Sequence, residues 1–155
     1  MGRFYPPERK EVLDAIAEQL RQRGFLPIMF DFEKSTERDF TETIKVLAGL
    51  SLFVVVDITN PKSAPLELQA TVPDYMIPFV PIIQKGENPF SMFKDLPKKY
   101  NWVLEPVRAY DTKEALIDML ETAIIKPAIQ KHKELIRKKA EELEVKDVRE
   151  FLSEE

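Results

Sequence analysis

The chain has 155 residues, 44% hydrophobic and 32% charged, with a net charge of -4, a composition typical of a globular domain rather than of a disordered or membrane chain. Zero cysteines exclude disulfides, thiol catalysis and thiolate-bound zinc, and the single histidine, His132, excludes a multi-histidine metal site, so chemistry falls to carboxylates. No apolar run approaches the ~20 residues of a membrane helix, and "MGRFYPPERK" lacks the apolar core of a signal peptide, so a cytoplasmic protein with no membrane association is expected.

Pro6 and Pro7, followed by "ERKEVLDAIAEQLRQRG", predict a helix with Val12, Leu13, Ile16 and Leu20 on one face and Gly24 at its stop. "FLPIMF", residues 25–30, is short, apolar and bounded by Gly24 and Asp31, and reads as a buried strand despite Pro27. In "DFTETIKVLAGL", Asp39 and Glu42 have capping-box spacing, and Phe40, Ile44, Leu47 and Ala48 form one stripe, which predicts a second helix.

"LFVVVDI" is a continuous rather than alternating apolar run, the pattern of a parallel strand covered on both faces. "IPFVPIIQ" repeats it, and "WVLEPVRAY" predicts a last strand broken by proline. Asp111 and Glu114 have capping-box spacing ahead of a helix with Leu116, Met119, Leu120, Ala123 and Ile124 inward, which Pro127 is expected to kink or end. Residues 126–155 carry eight Lys/Arg and eight Asp/Glu. Leu135, Ile136, Leu143, Val148, Phe151 and Leu152 are spaced among them, so the segment reads as a helical extension. The balance of charge makes its basic cluster, Lys131 to Lys139, a solvated face rather than a nucleic-acid site.

This alternation predicts an α/β domain over 1–125: a doubly wound, flavodoxin-like parallel sheet with helices on both faces, followed by a C-terminal helical extension over 126–155. The first strand is expected to be truncated, since only "GRFY" precedes the prolines: it is either a four-residue stub or cut away ahead of this sequence. In such sheets ligands bind outside the carboxyl ends of the strands. Asp57 stands at such an end, as do Phe4, Tyr5 and Asp31, and Glu105 is a further candidate. Glu67 falls one turn into the helix expected after Asp57, where the dipole favours an ionised carboxylate, a group suited to attack on a sugar C1 or to stabilising an oxocarbenium ion.

Plainer roles exist for both acids. Helix starts collect acids for dipole reasons alone, although a capping box from Ser63 calls for Glu or Gln at 66, where Leu stands. Asp57 suits a hydrogen-bonded turn. It also matches the phosphoacceptor of a receiver domain, but "RFYPPE", "PIIQKGEN" and "WVLEPVR" lack the acidic pair, Ser/Thr and Lys that such a site needs. The four glycines form neither GxGxxG nor a P-loop. Tyr100, Trp102 and the phenylalanines of "NPFSMFKDLPKKYNW" read as packing residues.

Residues 3 to 125 resemble bacterial TIR-like domains in the order of their elements and in a few anchors: an aromatic turn after the first strand, the acidic "FDFEKS" at the position of the BB loop, and S-x-x-x-E-L from Ser63 through Glu67. The layout is also similar to nucleoside 2-deoxyribosyltransferases. The resemblance implies cleavage of an N-glycosidic bond, with Glu67 catalytic, Phe4 and Tyr5 contacting the nucleoside, Asp31 over the pocket, and Asp57 and Ser63 beside the substrate. It implies NAD or a related nucleotide as substrate and no separate cofactor. The alternative it carries is a non-catalytic signalling module engaged in homotypic TIR association.

Overall fold

A computed structural model describes residues 7–29, 37–59, 68–69, 71–89 and 91–153, with the backbone alone at 37–41, 92, 152 and 153. Three strands, β1 (Val54–Asp57), β2 (Phe79–Gln84) and β3 (Arg108–Tyr110), form a parallel sheet in the order β1-β2-β3. Val54 lies opposite Phe79 and Asp57 opposite Ile82; Ile82 lies opposite Arg108 and Gln84 opposite Tyr110. All three strands therefore end at one rim. No helix among the described residues is long and apolar enough to cross a membrane.

The continuous apolar runs of β1 and β2 reflect burial on both faces. Side chains of successive strand residues point alternately to two apolar clusters. Val54, Val56, Ile58, Phe79 and Ile83 join Ile44, Leu68, Val72, Phe93 and Val103 in one. Val80 and Ile82 join Val12, Leu13, Ile16, Leu20, Leu116, Leu120 and Ile124 in the other. Tyr100 and Trp102 pack against the first cluster, the indole N–H donating to the Val72 carbonyl at 2.8 Å.

Helix α1 (Pro7–Gln22) buries Val12, Leu13, Ile16, Ala17 and Leu20, the spacing of a single helical face. It stops where expected. Gly24 adopts φ 84, the Phe25 N–H donates to the Leu20 carbonyl at 3.0 Å and the Gly24 N–H to the Arg21 carbonyl at 2.9 Å, which together make a Schellman cap.

Residues 25–29 are not a strand. Pro27 has no N–H to give a ladder. Phe25 and Met29 lie against the α1-side cluster and Phe25 meets Phe53 edge-on at 5.9 Å, whereas Leu26 is 88% exposed. The segment thus packs on one side only. Helix α2 (Glu37–Gly49) begins two residues before the expected cap at Asp39, and buries Ile44 and Ala48.

The last strand is interrupted, as its prolines predict. Val103 bridges Phe79 while Leu104 donates to the Phe79 carbonyl at 2.9 Å, and regular pairing resumes only at Arg108. Before that interruption a 3-10 turn (Ser91–Asp95) leads into the short α3 (Leu96–Lys99). After β3, α4 (Lys113–Asp118) is capped by Thr112, whose hydroxyl accepts from the Ala115 N–H at 3.2 Å. The expected cap, Asp111, instead faces Lys85 at 3.4 Å.

The helical path does not end at Pro127, which stands in the first turn of the last long helix. A π-helical turn (Glu121–Ile125) runs directly into α5 (Lys126–Glu142), which passes through Pro127. In a regular helix the residue 127 N–H would bond the carbonyl of Ala123, and proline has none. Arg108 supplies the missing donor: its Nε reaches the Ala123 carbonyl at 2.8 Å. Replacing Arg108 by Met is expected to cost about 1–3 kcal/mol. Adding Pro127→Ala, which restores a backbone donor, should recover part of that loss, so that the double-mutant cycle in urea denaturation is non-additive.

Candidate functional site

At the carboxyl end of β1 the chain places an acid, Asp57, with no accessible surface. A buried carboxylate has to be hydrogen-bonded, and both of its oxygens are. Oδ1 accepts from the Thr59 N–H at 2.9 Å, an Asx-type turn, and Oδ2 accepts from the Tyr110 hydroxyl at 3.3 Å. Tyr110 reaches it because β3 ends at the same rim two strands away.

Thr59, also fully buried, carries the network further. Its hydroxyl accepts from the Gln84 N–H at 2.8 Å, just past the end of the β1–β2 ladder. Its carbonyl accepts from Arg9 Nη1, in the first turns of α1. One dipeptide step beyond β1 thereby ties together the ends of all three strands and the start of α1.

The network also perturbs Tyr110. Burial first, and then the negative charge of Asp57, push its hydroxyl up to about 12, with Arg9 pulling weakly the other way. The phenol therefore stays protonated and donates throughout the physiological range.

Asp57 is where the sequence places it, at a strand end on the ligand-binding side of a parallel sheet. Phe4, Tyr5, Asp31, Ser63 and Glu67 lie outside the described residues. Glu105 does not reach the rim: it is exposed and precedes the resumed pairing at Arg108, because the proline break shifts the strand end from Glu105 to Tyr110. Arg9, Thr59, Gln84 and Tyr110 are additions that sequence reading passed over. The signal for Tyr110 was available, since parallel strands end together and the residue closes the strand at "VRAY". Arg9 extends the apolar stripe of its helix, three and four residues before Val12 and Leu13, so its inward face was legible but its partner Thr59 was not.

Among the described residues no three His, Asp or Glu side chains gather closely enough to hold a metal ion. No family model, no curated protein and no solved structure matches the chain. The described rim offers a saturated carboxylate, a neutral phenol and a guanidinium held by a carbonyl, a set suited to fixing backbone rather than to transferring protons.

Two outcomes follow from this geometry. Asp57→Ala strips the buried Thr59 N–H of its acceptor and should lower unfolding stability by about 1–3 kcal/mol in urea. The Tyr110 pKa is raised in the folded state, so its contribution is present in full below the unfolded pKa of about 10 and is lost as pH climbs toward about 12. Absorbance titration of tyrosinate should show one late-ionising tyrosine that disappears in Tyr110→Phe.

Proposed function

We propose that the chain is a doubly wound, flavodoxin-like domain of TIR type with a short first strand. In this reading it hydrolyses the N-glycosidic bond of NAD or a related nucleotide at the carboxyl rim of the sheet, with Glu67 as the catalytic carboxylate. What supports this reading is the anchoring of the described residues on either side of Ser63 and Glu67. Before them stands Thr59, held by Asp57, Gln84 and Arg9, and after them Leu68, a fully buried core residue. Catalytic groups need such support, because a loop left free at either end does not hold a carboxylate within the fraction of an ångström that catalysis requires.

Asp57 enters this reading as a positioning residue. With both oxygens engaged inside the protein and no surface open, it acts on the substrate through the backbone of Thr59. Phe4, Tyr5, Asp31 and Ser63 remain the proposed substrate contacts, and the ionised Glu67 would stabilise positive charge developing at the ribose C1 as nicotinamide leaves.

The second reading is a non-catalytic interaction module. It is favoured by the exposure of Leu26 (88%) and Ile28 (49%) just before the acidic "FDFEKS" segment, since apolar side chains left open beside charged sequence suit a protein contact.

Incubation of purified protein with NAD, following nicotinamide release, separates the two. The enzyme reading expects release that falls by about 10²–10³-fold in Glu67→Ala, and by less in Asp57→Asn with the fold intact. Equal release from wild type and Glu67→Ala would remove Glu67 from the mechanism. Absence of release from both would leave the interaction module.

A further inference from the structure

The contacts proposed for the rim leave the charge of a nucleotide unanswered. Phe4, Tyr5, Asp31, Ser63 and Glu67 include two acids and no cation, and Asp57 adds a third carboxylate. Phosphates are themselves anionic and are bound by positive charge or by backbone N–H groups. A backbone cradle is ruled out, because the four glycines form neither of the glycine-rich phosphate loops. Recognition of a phosphate at this rim therefore falls to a cationic side chain.

Arg9 has the placement. It stands half-buried in the first turn of α1, and its Nη1 donates to the carbonyl of Thr59, two residues beyond the carboxyl end of β1. Its positive charge is felt at the hydroxyl of Tyr110, which ends β3 on the same rim. The Thr59 carbonyl is a neutral acceptor, so the guanidinium is fixed in position without being neutralised. Among the described residues Arg9 forms no ion pair, and nothing accepts from Nε or Nη2. Asp57 does not claim them, since its two oxygens are taken by Thr59 and Tyr110. Nor does the position serve the helix, whose dipole disfavours a cation at the N-terminus. Lys85, the cation just past β2, is by contrast paired with Asp111 at 3.4 Å.

We propose that Arg9 binds a phosphate of the substrate, so that the rim accepts a nucleotide and discriminates against the corresponding nucleoside. This rests on the reading of the rim as a nucleotide-cleaving site and supplies the specificity that reading lacks. Nη1 stays on the Thr59 carbonyl while the free Nε and Nη2 edge of the planar guanidinium takes two phosphate oxygens, a geometry that lysine cannot reproduce.

Calorimetric titration of the full chain with nicotinamide mononucleotide and with nicotinamide riboside, which differ only by the phosphate, tests it. Wild type is expected to bind the mononucleotide at least about tenfold more tightly, by a margin that narrows with added salt. Arg9→Gln should lose that margin: the mononucleotide falls to the affinity of the riboside, while the riboside itself moves by less than about twofold. Arg9→Lys, which keeps the charge without the fork, should fall between them. An arginine that merely braced Thr59 would, when replaced, weaken both ligands alike, and that result would overturn the proposal. So would a wild type with equal affinity for the two probes, or with none for either, outcomes that need no variant to fold. The hydrolase reading is judged separately. Nicotinamide release from NAD without preference for the mononucleotide would overturn the phosphate role alone. An Arg9-dependent preference without release would support the phosphate role and end the hydrolase reading.

Discussion

A carboxylate buried at the end of a strand has to be answered by donors from the protein, and here that requirement organises the rim. Asp57 can be neither hydrated nor left unpaired at zero exposure. The donors that answer it come from Thr59, two residues on, and from Tyr110, across the sheet. Bonding the Thr59 N–H fixes the turn, and the fixed turn presents the Thr59 hydroxyl and carbonyl to Gln84 and Arg9. Satisfying one charge thus sets the relation between three strands and a helix.

The same logic recurs at the other margin of β3. Proline at 127 leaves the Ala123 carbonyl without its helical donor, and Arg108 fills the position from the strand. The guanidinium also donates to the Pro106 carbonyl at 2.7 Å, bracing the chain where the proline break interrupts pairing. Two prolines that weaken the backbone ladder are served by one side chain. α5 thus continues past Pro127, which stands in its first turn, where proline is tolerated.

The parallel sheet and its helices were legible because their signals are strong and local: continuous runs at 54–57 and 79–84, one-face periodicity in α1, and glycine at its stop. Misreadings arose where tertiary context prevailed. "FLPIMF" has a strand's composition, but Pro27 and one-sided packing keep 25–29 out of the ladder. Asp111 has capping-box spacing to Glu114, yet Thr112 offers a β-region backbone and a hydroxyl aimed at Ala115, which makes the better cap. Of the rim, Asp57 could be read from its strand end. Its partners could not, because hydrogen bonds spanning 53 residues to Tyr110 and from Arg9 to Thr59 across 50 follow from the fold and leave no spacing in the sequence.

Rim and extension sit at opposite ends of one architecture. β3 runs toward the rim and ends at Tyr110; the helical segments that follow turn back, and α5, about 25 Å long, reaches the opposite end of the sheet, where Lys139 donates to the Met76 carbonyl just ahead of β2 at 3.3 Å. Beyond that point the chain leaves the sheet, and with it the apolar partners that bury Ala128 and Leu135. The last core residue on α5 is therefore Leu135, and Leu143, Val145, Val148 and Phe151, which lie past the limit of the sheet, are exposed.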